Sequence, residues 1–268
     1  MSTTLILLFI AIGVIGGLIG GMLGVGGGIL FVPCLHYGFQ ALGIDADLSI
    51  KLAIATSLSI ILVTALSAAV SHTMNGAIDP RAVLIMAGMA LPSAFVGAGI
   101  GHVIGGASLQ KLFGFVTLLI SYQFLRTVPK RHEKAGREIS FNNYVMVGGV
   151  SGLFSSILGV GGGIITVPLL HLALQMPMNQ AVANSSGLIV FSALAGTIGW
   201  ILSGLGAEGR PAYSMGYVNL LAWILIASSA MLTSLLGAWL ADRLDPNRLR
   251  FPFGVLLLIV GFRMAFFG

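Results

Sequence analysis

Eight apolar stretches alternate with short polar breaks along the chain, at roughly 4–35, 51–71, 82–104, 112–128, 143–174, 181–205, 216–240 and 251–267. Leu52 to Val70, Val83 to Ile100 and Leu220 to Leu240 carry no ionisable side chain. Each is long enough to cross a hydrocarbon core of about 30 Å as a helix. None shows the two-residue alternation of a membrane β-strand, so the pattern predicts an all-α polytopic membrane protein. The first stretch begins directly after Met1-Ser2-Thr3-Thr4, without the basic region of a secretory signal, and is expected to remain in the mature protein.

Two of the stretches contain the same string. Leu23-Gly24-Val25-Gly26-Gly27-Gly28-Ile29-Leu30-Phe31-Val32-Pro33-Cys34-Leu35-His36 aligns with Leu158-Gly159-Val160-Gly161-Gly162-Gly163-Ile164-Ile165-Thr166-Val167-Pro168-Leu169-Leu170-His171 at a constant offset of 135, and 11 of the 14 positions are identical. The likeness continues from Lys51–Ser57 to Gln180–Ser185, and from Ala65–Ala68 to Ala193–Gly196. Between the two sets lies the one strongly polar linker, with Arg126, Lys130, Arg131, Glu133, Lys134 and Arg137. The chain therefore divides into a first membrane module (1–128), a charged cytoplasmic linker (129–140) and a second membrane module (141–268).

Three adjacent glycines each forfeit about 1 kcal/mol against alanine in a helix, and the proline after them lacks an amide donor. The first segment of each module is thus expected to be broken. If segments 1 and 5 enter and leave by the same face, each module crosses three times and the two are inverted. Nine Lys/Arg (Arg81, the five of the linker, Arg243, Arg248, Arg250) then lie inside against four outside (Lys51, Lys111, Arg210, Arg263). If all segments cross, the modules are parallel and the tally is eight to five. The positive-inside rule favours inversion by one residue.

Composition sharpens the class. The chain is 57% hydrophobic and 8% charged, with a mean hydropathy of +1.02, whereas soluble domains carry about a quarter charged residues. The net charge of +5 sits mostly in loops and reports topology and contact with membrane lipid, not nucleic acid. The single cysteine, Cys34, excludes an internal disulfide, and no His or Cys pair has metal-site spacing. No cofactor motif is present: no Lys-Ser/Thr follows either glycine tract.

The chemistry open to such a chain is anion recognition. Gly26, Gly27 and Gly28, and Gly161, Gly162 and Gly163, can expose consecutive N–H groups at the positive end of a following half-helix. Close packing of helices through small residues is the competing explanation. Thr56, Ser57, Asn184, Ser185 and Ser186, at the starts of segments 2 and 6, add neutral donors, though Ser and Thr also cap helices or bond back to them. His36 and His171 follow the two prolines by three residues and are the repeat-paired groups suited to proton coupling, with interfacial histidines at half-helix ends as the competing reading. Lys51 stands near Thr56, where it would attract an anion at a cavity mouth or serve a structural role, and Arg81 reads as an inside-face anchor or ion pair. All eight acids (Asp45, Asp47, Asp79, Glu133, Glu138, Glu208, Asp242, Asp245) lie at segment ends or in loops. That argues against a cation substrate, a carboxylate relay and an intramembrane hydrolase, so no enzyme is expected.

The twofold Gly-x-Gly-Gly-Gly-Ile-x-x-Val-Pro string at Gly24–Pro33 and Gly159–Pro168, with the Ala-x-x-Ser-type starts of segments 2 and 6, resembles the TauE/SafE family of sulfite-exporter-like permeases. The resemblance covers about Ile6 to Phe267. It implies a duplicated three-helix module, a multi-pass protein of the bacterial plasma membrane, and movement of sulfite or an organosulfonate. An anion channel or uniporter, or a non-transporting assembly factor or receptor, would use the same pattern. The sequence leaves oligomeric state open, a homodimer included.

Overall fold

The computed structural model describes residues 3–23, 27–125, 139–241 and 246–267. Nearly all are helical: α1 (Thr3–Leu23), α2 (Gly28–Ala41), α3 (Ala46–Met74), α4 (Pro80–Val103), α5 (Gly106–Leu125), α6 (Phe141–Leu158), α7 (Gly163–Pro168) running on as a π-helical turn (Leu169–Ala173), α8 (Met178–Ser203), α9 (Leu220–Ala241) and α10 (Pro246–Phe266). Among the described residues, four helices, α3, α4, α8 and the Leu220–Gly237 part of α9, are long and apolar enough to cross a membrane. The linker at 126–138 lies outside the described residues.

Segments 1 and 5 are broken where the glycines predict it. α1 and α2 form an antiparallel hairpin: Phe9 stacks edge-on against Phe39 at 6.4 Å, and Gly16 lies against the ring of Phe31 near the other end. The turn needs Gly27, whose φ of 75° is open to glycine at little cost. Gly162 has φ 86° at the equivalent place between α6 and α7. Where both turns are described, they are built alike. A Cβ on Gly27 would meet the Gly16 carbonyl, and one on Gly162 the Ser151 carbonyl, each pair being offset by 135. The Gly27 carbonyl accepts from the Leu30 and Phe31 amides, and the Gly162 carbonyl from Ile165 and Thr166. At 14 residues, α2 spans about 21 Å, too short to cross alone. The halves diverge after the proline: α2 carries Pro33 through, whereas α7 ends at Pro168 in the π turn. A missing proline donor is a recognised cause of such a break.

The two halves exchange partners. α1 packs on α9 and α6 on α4, through glycines spaced by four. A Cβ on Gly17 would sit 2.5 Å from the Ala230 carbonyl, and one on Gly152 2.5 Å from that of Ala90. α3 and α8 occupy the centre, buried along most of their length. α5 and α10 pair with each other and run antiparallel, since Gly114 lies against Gly261 while the Ser121 hydroxyl donates to the Gly254 carbonyl at 2.8 Å. Large apolar side chains such as Leu7, Leu232 and Leu236 cover the outside, as a lipid-facing surface requires.

Two hydrogen bonds repeat this exchange. The Asn219 amide, just before α9, donates to Thr56 Oγ1 at 3.0 Å, and the Asp79 amide, just before α4, donates to Asn184 Oδ1 at 2.8 Å. In each case a side chain of a central helix receives the amide that opens a helix of the other half. Asp79 and Asn219 then cap those helices, accepting from Arg81 and Ala82, and from Ala222.

Some boundaries differ from expectation. α3 begins at Ala46 rather than near 51, because Asp45 caps it by accepting from the Asp47 amide and Asp47 pairs with Lys51 at 3.0 Å. The apolar run from 216 does not start as helix: Ser214–Met215 and Val218–Asn219 form a two-residue β-ladder turning at Gly216, with φ 57°.

Three outcomes follow for thermal unfolding in detergent. Gly152→Ala should lower stability by about 1–3 kcal/mol through overpacking against α4, whereas Gly88→Ala, which meets nothing within 4 Å, should raise it by about 0.5–1 kcal/mol. Thr56→Val keeps the shape but orphans the buried Asn219 amide, for an expected loss of about 1–3 kcal/mol.

Candidate functional site

The two glycine turns meet in the middle of the molecule. A Cβ on Gly28 would lie 2.8 Å from Val160 Cα and 3.0 Å from the Gly159 carbonyl, so the two backbones approach closely. Ile61 of α3 reaches both Gly28 and Gly161, and Ile189 of α8 covers Gly161 from the other side. α2 and α7 thus start at the centre, and neither N-cap glycine supplies a side-chain cap to the first-turn amides. Uncapped amides and two positive helix ends make the meeting point attractive to negative charge.

Hydroxyls surround the turns. Ser57, fully buried, donates to the Gly159 carbonyl at 2.8 Å, tying α3 of one half to the turn of the other. Ser192 donates to the Gly161 carbonyl at 3.2 Å and stands 3.5 Å from Ser155 Oγ. Ser155 borders Gly162 through its side chain, and Ser151, one helical turn before it on α6, through its carbonyl. Ser185 is fully buried and its Oγ has no hydrogen-bond partner among the described residues.

Of the residues expected from sequence, the structure brings together Gly27, Gly28, Gly161, Gly162, Gly163 and Ser57 at this centre, with Ser185 one turn from Ile189 on α8. Gly26 lies outside the described residues. Thr56 and Asn184 serve the inter-half hydrogen bonds described above, and Ser186 bonds back to the Val182 carbonyl at 3.0 Å. His36 and His171 do not reach the turns. His36 is eight residues beyond Gly28, about 12 Å along the helix. It is fully buried between Ser49 Oγ, 2.8 Å from Nδ1, and the Gln40 amide, 3.2 Å from Nε2. His171 Nδ1 donates to the Met176 carbonyl at 2.9 Å. His36 thus fastens α2 to the first turn of α3, and His171 fastens the π-helical turn to the connection leading into α8. Lys51 is spent on Asp47, whose other oxygen accepts from the Gly106 amide.

Ser151, Ser155 and Ser192 were not singled out from the sequence. Their signal was a pair of serines at i, i+4 just before the second glycine tract, facing a hydroxyl on segment 6. The described acids keep to the places expected: Asp45 and Asp79 cap helices, Asp47 is in a first turn, and Glu208 is in the α8–α9 connection. Among the described residues no three His, Cys, Asp or Glu side chains gather as a metal site would require.

Comparison with known proteins agrees with this architecture in extent. A probable membrane transporter protein of Haemophilus influenzae is 30% identical over 262 residues, spanning 97% of this chain and 98% of its own. Similar proteins, also described as probable membrane transporters, are 29% identical in Methanocaldococcus jannaschii (96% and 94% of the two chains) and 25% identical in Bacillus subtilis (97% of each). The model of the sulfite exporter TauE/SafE family matches residues 9–264. With the paired glycine hairpins at its centre and a match over nearly its whole length, the chain belongs to the sulfite exporter TauE/SafE family.

Proposed function

We propose that this protein is a carrier that exports a small sulfur-containing oxyanion, sulfite or an organosulfonate, across a bacterial plasma membrane by alternating access between two inverted halves. The observation that carries the reading is the meeting of two uncapped helix starts and several buried hydroxyls at one point inside an apolar bundle. Neutral donors of this kind hold an oxyanion without a permanent charge in the membrane, and irregular backbone at that depth is tolerated only where protein or a cavity surrounds it. The family's name and the membrane transporters among the relatives point the same way.

Inversion is supported by the antiparallel course of α5 and α10, which hold corresponding places in the two halves. Helices related by an axis along the membrane normal would run in the same direction. Hairpins entering from opposite faces, each ending against the other, fit a site at the repeat interface. Thr56–Asn219 and Asn184–Asp79 then act as the paired contacts between moving parts. An inside-negative potential favours anion export by about 2.3 kcal/mol per charge at 100 mV, so the carrier needs no coupling ion. Should flux follow a pH gradient, His36 and His171 are the repeat-paired groups for it.

The test is sulfite counterflow in proteoliposomes. Saturable exchange is expected, weakened about tenfold in the Ser57→Ala/Ser185→Ala double variant with expression intact. Conductance without counterflow would make the protein a channel. No sulfite or organosulfonate movement by folded, inserted protein would overturn the reading.

A further inference from the structure

Hydroxyls on helices in an apolar bundle ordinarily donate to the carbonyl three or four residues back. Ser59, Ser67, Ser93 and Ser186 do so here, on α3, α4 and α8. Ser151 and Ser185 do not: their Oγ atoms have no partner among the described residues, at 1% and 0% exposure. Ser155 is barely better placed, with Ser192 Oγ 3.5 Å away and Ser192 itself directed at the Gly161 and Ile189 carbonyls. A buried donor left unpaired costs about 1–3 kcal/mol, so each calls for an explanation.

Ser155 and the backbone of Ser151 border the second glycine turn, and Ser185 lies on α8, the helix that covers it. The built Cβ position of Gly162 is 3.1 Å from the Ser151 carbonyl and 3.2 Å from Ser155 Cβ, and Ser185 lies one turn before Ile189, which covers Gly161. The first half has no such set. At the offset of 135, the places of Ser151 and Ser155 are taken by Gly16 and Gly20, and the counterpart of Ser185 is Ser57, already committed to the Gly159 carbonyl. Ser156 also has an unpaired hydroxyl, but it packs between Gly97 and Gly196, on the side of α6 turned to α4.

We propose that the bound oxyanion sits off the centre of the molecule, against the second glycine turn, with the hydroxyl protons of Ser151, Ser155 and Ser185 as its donors. This rests on the anion-carrier reading and assigns its ligands to one half. The donors are uncharged and stand on two helices that flank the turn, α6 and α8. They suit a compact anion presenting several oxygens, and hydrogen bonds to an ionised acceptor are about twice as strong as neutral ones.

The test uses the full-length protein in detergent, with thermal unfolding followed against sodium sulfite or sodium methanesulfonate and sodium chloride at equal ionic strength as the control. Ser151→Ala and Ser185→Ala should unfold, without sulfite, at or above the wild-type temperature, because each removes an unpaired donor. Both, and Ser155→Ala, should raise the half-saturating sulfite concentration about tenfold or more. Ser67→Ala, which removes a hydroxyl bonded to its own helix, should leave the sulfite dependence unchanged. Variants that lose stability or fail to fold without sulfite, or that keep the wild-type sulfite dependence, would show these hydroxyls to be structural and overturn the seat while the carrier reading stands. A folded wild-type protein indifferent to both anions would overturn the seat and the carrier reading together.

Discussion

Inside a bilayer every peptide N–H and C=O needs a partner, because no water is present to supply one. A chain that reverses direction at membrane depth must therefore find partners for its turn within the protein. Here two such turns find each other. Gly28 abuts Val160 and Gly159, Ser57 reaches from the first half to the Gly159 carbonyl, and Ser192 holds the Gly161 carbonyl. The rest of the architecture follows from that requirement. α3 and α8 must lie close enough to shield the turns, and α1 and α6 must approach α9 and α4 backbone to backbone, which explains their glycines at intervals of four.

The same requirement explains how much could be read from the sequence. The breaks in segments 1 and 5 were legible because three glycines and a proline are poor helix residues wherever they occur. The sharp reversal was not, since the same string can kink a crossing helix. It is settled by contacts between residues far apart in the sequence, Phe9 with Phe39 and Gly162 with Ser151. The start of α9 was missed for a related reason. Gly216, Tyr217 and Val218 are apolar enough to continue a helix, yet Gly216 is held in a turn against Ile201.

At the candidate site, duplication was both the guide and the blind spot. It led to the glycines and to Ser57 and Ser185, which recur in both halves. It passed over Ser151 and Ser155, which are glycines in the first half, although Ser151 carries an unpaired hydroxyl as Ser185 does. Thr56 and Asn184 recur as well, but their recurrence reflects a paired structural bond to the start of a helix in the other half. Repetition in a duplicated membrane protein thus marks what both halves need to fold. Function can lie in where the halves differ.

The account depends on α1 and α2 leaving the membrane by the face they entered, and that can be measured directly. In a Cys34→Ser background, single cysteines placed at Thr3 and Leu42 would be labelled with a membrane-impermeant maleimide in sealed, oriented vesicles. Labelling of both from the same side is the predicted result. Labelling from opposite sides would mean that the first segment crosses, and would contradict the meeting of the two glycine turns on which the account is built.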